Sequence, residues 1–393
     1  MNLNGKLPGW ADYLAIMAKA DAALERLANP ADPLVRQQAQ RLLFAALATG
    51  YQSAFSDPDF PDFVPAVSSV LNTVGANPDF VYGYTRIDGT GRYQLSGRRG
   101  TSAFVFVDIV AGGLGVMDDL GPSVGLLDVD RFTLTADGQF SILLSAERPS
   151  NYEGDWFPLD PRATSAAMRR ASYRWGEEDD GAIAIERLDG PMFPRRKQAA
   201  DIARHLERLA SFVERYARFA LGYNQRHRQQ GYVNRLEHDD WAGRGGVAGQ
   251  HYYQGIFRLA PGEAMIVDTA LPDRVLYWNI QVNDVLWNTI DWINHQSSLN
   301  GIQATIDSDG RFRAVITPSD PGVPNWIDTA GHLEGSLMLR WTGASSGPEP
   351  VVSIVPFAEV RNHLPAATPT ISTEQRQDVL RQRRRGAQMR RRW

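Results

Sequence analysis

The sequence predicts a β-rich α+β protein. It reads as two related antiparallel β-sandwich or jelly-roll-like modules, with a helical segment ahead of them and a long helical insert between them. Three observations carry this reading. Short runs of alternating apolar and polar residues flank Asp-Gly turns. The same order of runs occurs twice, about 170 residues apart. Between the two copies the apolar spacing changes from two residues to three or four.

Residues 1–56 form the N-terminal helical segment. Leu34, Gln38, Leu42, Ala45 and Ala46 recur at helical spacing, and Asn29-Pro30-Ala31-Asp32-Pro33 divides the segment into two helices. The first β module spans 57–190. It opens with a Pro- and Asp-rich stretch, Asp57 to Pro78, that reads as a wrapping loop. Phe80, Tyr82 and Tyr84 then alternate with Val81 and Gly83, followed by runs at Tyr93–Gly97 and Ser102–Val110 and a last run to Trp175. The insert, 191–235, places Ile202, Leu206, Leu209, Val213, Tyr216, Phe219 and Tyr223 on one face of an amphipathic helix. The second β module, 236–360, contains a Gly-rich loop (Arg244 to Gly249) and starts its strands at Tyr252-Tyr253. Its centre reads as a hairpin, Ala304–Asp307 and Phe312–Thr317 about Asp309-Gly310, then a long loop and the run Ser336–Trp341. Residues 361–393 are a basic tail or helix with Arg376, Arg381, Arg383, Arg384, Arg385, Arg390, Arg391 and Arg392.

The internal echo is specific in its register. Asp137 and Asp309 are 172 residues apart, as are Phe140 and Phe312, and Ala103–Phe106 lies over Val275–Trp278 at the same offset. Trp156 matches Trp326, and Arg174-Trp175 is aligned with Arg340-Trp341. Two copies are a duplicated module and not a solenoid.

Composition narrows the function. The 393 residues are 43% hydrophobic and 22% charged, with a net charge of −4, so nothing draws the whole chain to nucleic acid. With no cysteine there is no disulfide, thiolate nucleophile or cysteine-ligated metal. No apolar run is long enough to span a bilayer, and the start lacks the basic and apolar pattern of a secretory signal. A cytoplasmic location with no membrane partner is therefore expected, and an exposed sheet edge leaves homo-oligomers open. No organic cofactor is expected. Gly121–Gly125 and Gly343–Gly347 match a nucleophile elbow in letters but not in context, Gly112–Gly115 does not complete a dinucleotide fingerprint, and Arg244–Gly249 does not end as a P-loop.

Two clusters are candidates for a site. In Asn325–Glu334, His332 has a carboxylate within reach in sequence, so His332 could move a proton, Asp328 orient it and Asn325 polarise a substrate oxygen. The same residues could instead knit the loop through their own hydrogen bonds. In Tyr277–Gln281, strand alternation puts Trp278 on one face and Tyr277, Asn279 and Gln281 on the other. That second face is either a pocket with polar anchors or a solvated surface over a Trp-filled core. Trp278, Asn279, Gln281, Trp326, Arg340 and Tyr253 complete the candidate substrate-binding set. His205, His227 and His363 read as surface groups. No metal is expected; were one bound, His238, His251, His295 and His332 would be its candidate ligands.

Several stretches resemble a known family: TRIDG (Thr85–Gly89), YQLSGRRGT (Tyr93–Thr101), YRWGEEDDGAIAIERLDG (Tyr173–Gly190), YWNIQVND (Tyr277–Asp284) and DPGVPNWIDTAGHLEG (Asp320–Gly335). They are similar to the bacterial family of domain of unknown function 1214, whose longer relatives carry the companion domain 1254. The resemblance covers roughly residues 75–360, with Asn325, Trp326, Asp328, Gly331, His332 and Arg340 at motif positions. It implies a β-sandwich or jelly-roll module and a setting among bacteria that degrade aromatic, terpenoid and steroid-like compounds, but no reaction. Three functions follow as expectations. The first is a cofactor-free enzyme, such as a lyase, isomerase, hydratase or cyclase, acting on a hydrophobic small molecule by acid–base chemistry. The second is a lectin-like or ligand-binding β-sandwich. The third is a scaffold that docks a partner through its basic tail.

Overall fold

The computed structural model describes residues 7–27, 30–239 and 250–390; the Gly-rich loop Arg244–Gly249 lies outside them. The first module contains β1 (Val64–Pro65), β2 (Phe80–Arg86), β3 (Tyr93–Arg98), β4 (Val105–Val110), β5 (Ser123–Asp128), β6 (Gln139–Ser145), β7 (Asp155–Pro158), β8 (Ser165–Ala171) and β9 (Ala182–Arg187). The second contains β10 (Glu237–Asp239), β11 (Gln250–Arg258), β12 (Glu263–Ala270), β13 (Tyr277–Asn283), β14 (Ser298–Asn300), β15 (Arg311–Thr317), β16 (Trp326–Asp328), β17 (Glu334–Thr342) and β18 (Val351–Pro356).

The two modules repeat strand for strand. One sheet runs β1-β2-β8-β4-β5 in the first and β10-β11-β17-β13-β14 in the second; the other runs β7-β6-β3-β9 and β16-β15-β12-β18. Each module keeps one parallel pair, β6 with β7 and β15 with β16, in an otherwise antiparallel scheme. The register of the repeat is 172 residues in β3/β12 and β6/β15 and drifts by a few residues in the other strands. Tyr93 faces Leu144 as Met265 faces Ile316, and Val107 faces Met168 as Ile280 faces Leu339, the latter pair matching at offsets of 173 and 171. Trp156 and Trp326 are equivalent, opposite Leu143 and Val315. The alignment of Arg174-Trp175 with Arg340-Trp341 is corrected: Arg340 takes the place of Arg169, Trp341 takes that of Arg170, and Trp175 lies beyond the end of β8.

Each module closes its two sheets over an apolar core. Phe257, Trp278, Ile280 and Leu339 meet Met265, Phe312 and Ile316 in the second module, and Val105, Val107 and Met168 meet Leu95, Ile142 and Leu144 in the first. The Asp-Gly turns hold, with Gly138 and Gly310 both at φ 77°. The limb before the second turn is not a strand. Thr305 N–H donates to Asn325 Oδ1 at 2.8 Å instead of joining a ladder.

Helices cover the junction. α1 (Trp10–Met17) runs into a 3₁₀ turn, and α2 (Pro33–Phe55) is started by Asp32, which accepts from Leu34 N–H at 2.8 Å, and by Pro33. α3 (Ala199–Gln229) buries Leu209, Phe212, Val213, Tyr216 and Tyr223 against α2 and the modules. His227, which the sequence places on the surface, is buried in its last turn. Among the described residues no helix is long and apolar enough to cross a membrane.

The basic tail forms α4 (Thr373–Met389), with Ser372 and Gln375 in a capping box. It is not simply a solvated helix. Arg376 and Arg383, with Arg390 just past its end, recur every seven residues and are all buried.

Candidate functional site

The site begins with β13, every residue of which is buried. Trp278, Ile280 and Val282 enter the module core. The opposite face carries Tyr277, Asn279, Gln281 and Asn283, and it is covered by the segment 72–79 that leads into β2. Asn77 Nδ2 donates to Tyr277 Oη at 2.9 Å, and Gln281 Nε2 donates to Ala76 O at 3.2 Å. Thr289 Oγ1 donates to Ala76 O at 2.7 Å. The wrapping loop read from the sequence thus supplies the partners that buried amides require.

Asp79 is the carboxylate of this layer. It accepts from Tyr277 Oη at 2.6 Å, Asn300 Nδ2 at 2.7 Å and Trp175 Nε1 at 2.8 Å. Burial raises its pKa above the ordinary carboxylate value, and these hydrogen bonds together with the charge of Arg390 counteract part of that rise.

Beside this layer lies a cavity of about 260 Å³. Its walls come from α2 (Thr49, Ser53), the segment 66–77, β2 (Phe80, Tyr82, Tyr84), α3 (Phe212, Tyr216) and the second module (Tyr252, Trp287, Met338). Two arginines reach it, Arg169 from β8 and Arg340 from β17. Arg169 is paired with the buried Asp108 at 3.0 Å. Arg340 donates to Gln281 Oε1 at 2.5 Å, Asn279 Oδ1 at 3.2 Å and Gly75 O at 3.2 Å, and lies 5.4 Å from the Tyr252 ring centroid.

The backbone here is strained. Val74 and Trp287, both lining the cavity, have φ of 55° and 63°. A β-branched and a bulky aromatic residue rarely adopt that region, which costs about 1–3 kcal/mol each. They are held by Gly75, whose N–H donates to Trp287 O at 2.8 Å. A Cβ on Gly75 would lie 2.4 Å from the Trp287 indole nitrogen, so only glycine allows this approach. Trp287 in turn stacks on Tyr223 with ring centroids 3.8 Å apart.

Of the residues proposed from sequence, Arg340 lines the cavity, and Asn279 and Gln281 hold its guanidinium from behind. Trp278 and Tyr253 are corrected to core positions: Trp278 packs on Phe312 and Trp341, and Tyr253 Oη donates to Gly347 O at 2.6 Å. Asn325 and Trp326 fasten β16. Asn325 Nδ2 donates to Arg313 O at 2.9 Å and Trp326 Nε1 donates to Thr317 O at 2.8 Å. The Asp328–His332 pairing is also corrected. Asp328 takes His295 Nδ1 at 2.7 Å and Ala330 N–H at 2.7 Å, because the turn Thr329–His332 folds through left-handed Ala330 and Gly331. The carboxylate that feels the charge of His332 is Asp284, whose pKa burial raises. His238 Nε2 and His251 Nδ1 are 3.0 Å apart, but they are not joined by His295 or His332. Among the described residues no group of three or more His, Asp or Glu is placed to hold a metal ion.

Sequence reasoning missed Arg169, Tyr82, Tyr216, Tyr252 and Trp287 as wall residues. A signal existed in β8, where two arginines interrupt an Ala-rich run, and in the Tyr alternation of β2.

No protein-family model matches the chain, and no curated protein matches it in sequence. Among solved structures it is similar to an uncharacterised protein from Burkholderia cenocepacia, with a TM-score of 0.82 and 28% identity over 89% of this chain and 97% of that one. The VPA0106 protein of Vibrio parahaemolyticus overlaps it with a TM-score of 0.45 at 11% identity, over 80% of this chain and 99% of that one.

Proposed function

We propose that this chain binds a hydrophobic small molecule in the cavity where its two modules and helices meet. The single observation that carries the reading is the cavity itself. Its apolar and aromatic walls are drawn from both modules and both long helices, a few polar groups converge on it, and it is bordered by two strained non-glycine residues. Concave, largely apolar sites with few polar anchors are the usual form of small-molecule sites, and backbone strain collects at ligand clamps. The aromatic, terpenoid or steroid-like class that the sequence resemblance implies is compatible with such walls.

Acid–base catalysis has less support than binding. Among the described residues the cavity wall carries no histidine or carboxylate. Its ionisable protons, the arginines aside, belong to Tyr82, Tyr84, Tyr216 and Tyr252, and burial pushes Tyr82 up and Tyr216 up to about 12. A phenol so placed is a poor proton carrier near neutrality. His332 belongs to another surface. The scaffold reading is weakened because Arg376, Arg383 and Arg390 are committed within the protein.

The test is native mass spectrometry of purified protein before and after denaturation, alongside Ser53→Trp, which fills the cavity rim and removes only a 3.3 Å hydrogen bond to Tyr84. A retained or added apolar molecule lost in Ser53→Trp, with the melting temperature kept, is the expected result. Equal loading of both proteins would place the ligand elsewhere and end this reading.

A further inference from the structure

Arg340 is 4% exposed, yet all the partners of its guanidinium among the described residues are neutral: two side-chain amides, one carbonyl, the Met338 sulfur and the Tyr252 ring. Its Nε–H meets no acceptor among the described residues. A buried cation without a counter-charge is costly, whereas the other cavity arginine, Arg169, has its own in Asp108. Asp79, the carboxylate of the neighbouring polar layer, is occupied by Tyr277, Trp175 and Asn300 and feels the charge of Arg390.

An independent feature points the same way. A second cavity of about 530 Å³ shares Ser53, Tyr84 and Phe212 with the first. Arg86, Arg204, Arg208 and Arg215 line it, against Glu207 in its wall and Asp201, which pairs with Arg204, so that positive charge is in excess. A recess lined by one sign of charge concentrates oppositely charged solutes and speeds their entry.

We infer that the occupant of the inner cavity is an apolar molecule ending in a carboxylate, and that the carboxylate accepts the free Nε–H of Arg340 after passing the arginine-lined recess. This rests on the binding role proposed above. The aromatic walls take the apolar body, and the charge-assisted bond completes the neutralisation that the protein leaves undone.

Calorimetry at low salt with phenylbutyrate and the matching alcohol, phenylbutanol, separates the two readings. The expected result is that the acid binds the wild-type protein at least about tenfold more tightly than the alcohol, and that Arg340→Gln removes this preference while still binding the alcohol. Arg208 is exposed, so Arg208→Glu folds independently of the buried network. It is expected to slow association of the acid about tenfold at low salt, and to lose that effect at 1 M salt, where charges are screened within about 3 Å. If the alcohol binds the wild-type protein as tightly as the acid, the anion inference falls and the cavity reading stands. If the acid preference survives intact in Arg340→Gln, the assignment to Arg340 falls. If neither compound binds, the cavity reading itself fails and takes the inference with it.

Discussion

Both ring nitrogens of His227 are engaged in a way that only the neutral imidazole satisfies. Nδ1–H donates to Tyr223 O at 2.9 Å, and Nε2 accepts from Arg226 Nη2 at 3.2 Å. Glu237 lies 3.3 Å from Nε2. Burial, aided by the Arg226 charge, outweighs the Tyr223 carbonyl and the Asp239 charge and pushes the pKa down to about 4. The folded state therefore binds this proton less readily than the unfolded chain, whose histidine titrates near 6.5. The contribution is present above that unfolded value and is lost as pH falls from about 6.5 towards 4, an effect of order 3 kcal/mol. Asp79 acts in the opposite sense. Its raised pKa means that stability is gained as pH falls through it. Urea titrations of wild type and His227→Gln between pH 7 and 4 separate the two, because the acid-side loss is expected to shrink in the variant; identical slopes would contradict it. His227 also shows a limit of single-sequence reading. An Arg-His-Arg triplet near a helix end looks solvated, and only the return of β10 and the packing of Trp287 against Tyr223 close over it. The Asp328–His295 pair was hidden for a similar reason, since β16 adds in parallel beside β15 and brings residues 33 apart into contact.

At the scale of elements, α4 is a clasp. Arg376 Nε donates to Asp320 at 2.9 Å, Arg383 Nη2 to Ser298 Oγ at 2.6 Å, and Arg390 Nη1 to Pro78 O at 2.7 Å. Trp175 of the first module lies between Arg383 and Arg390, whose guanidinium carbons are 4.5 and 4.3 Å from its ring centroid. A seven-residue spacing, close to two helical turns, keeps successive arginines near one face. Gly386 allows the approach, since a Cβ there would sit 2.7 Å from Trp175 O. Gly386→Val should therefore lower stability by about 1–3 kcal/mol and raise amide exchange across 373–389. The exposed Arg385→Gln should change neither, and unaltered exchange in Gly386→Val would show that the clasp does not hold the helix. The arginines were legible as a basic run, and the capping box as a helix start. What they grip was not legible, because Trp175, Pro78 and Ser298 come from three distant parts of the chain.

At the scale of the molecule, the strand repeat was readable because turn chemistry is local and recurs at nearly the same offset, 172 residues in β3/β12 and β6/β15. The cavity was not, because it is assembled from pieces between Thr49 and Arg340 that share no spacing. The same assembly sets how the protein unfolds. Tyr277 of the second module lies 5.4 Å from Phe80 and 5.8 Å from Phe104 of the first, ring centroid to centroid, and is hydrogen-bonded to Asp79. Releasing the segment 72–79 would leave Asn279, Gln281 and Arg340 without several of their partners and would expose this aromatic cluster, so neither module keeps its surface satisfied alone. One cooperative transition is expected despite the two separate sandwich cores. Tryptophan fluorescence, weighted to the second module by Trp278, Trp287, Trp292, Trp326 and Trp341, should report the same urea midpoint as far-ultraviolet circular dichroism of the whole chain. Two resolved transitions would mean that the junction couples the modules only weakly. The cavity at that junction could then open without global unfolding, and ligand binding should raise the midpoint of only one transition. With a single transition, ligand should raise the midpoint seen by both probes equally.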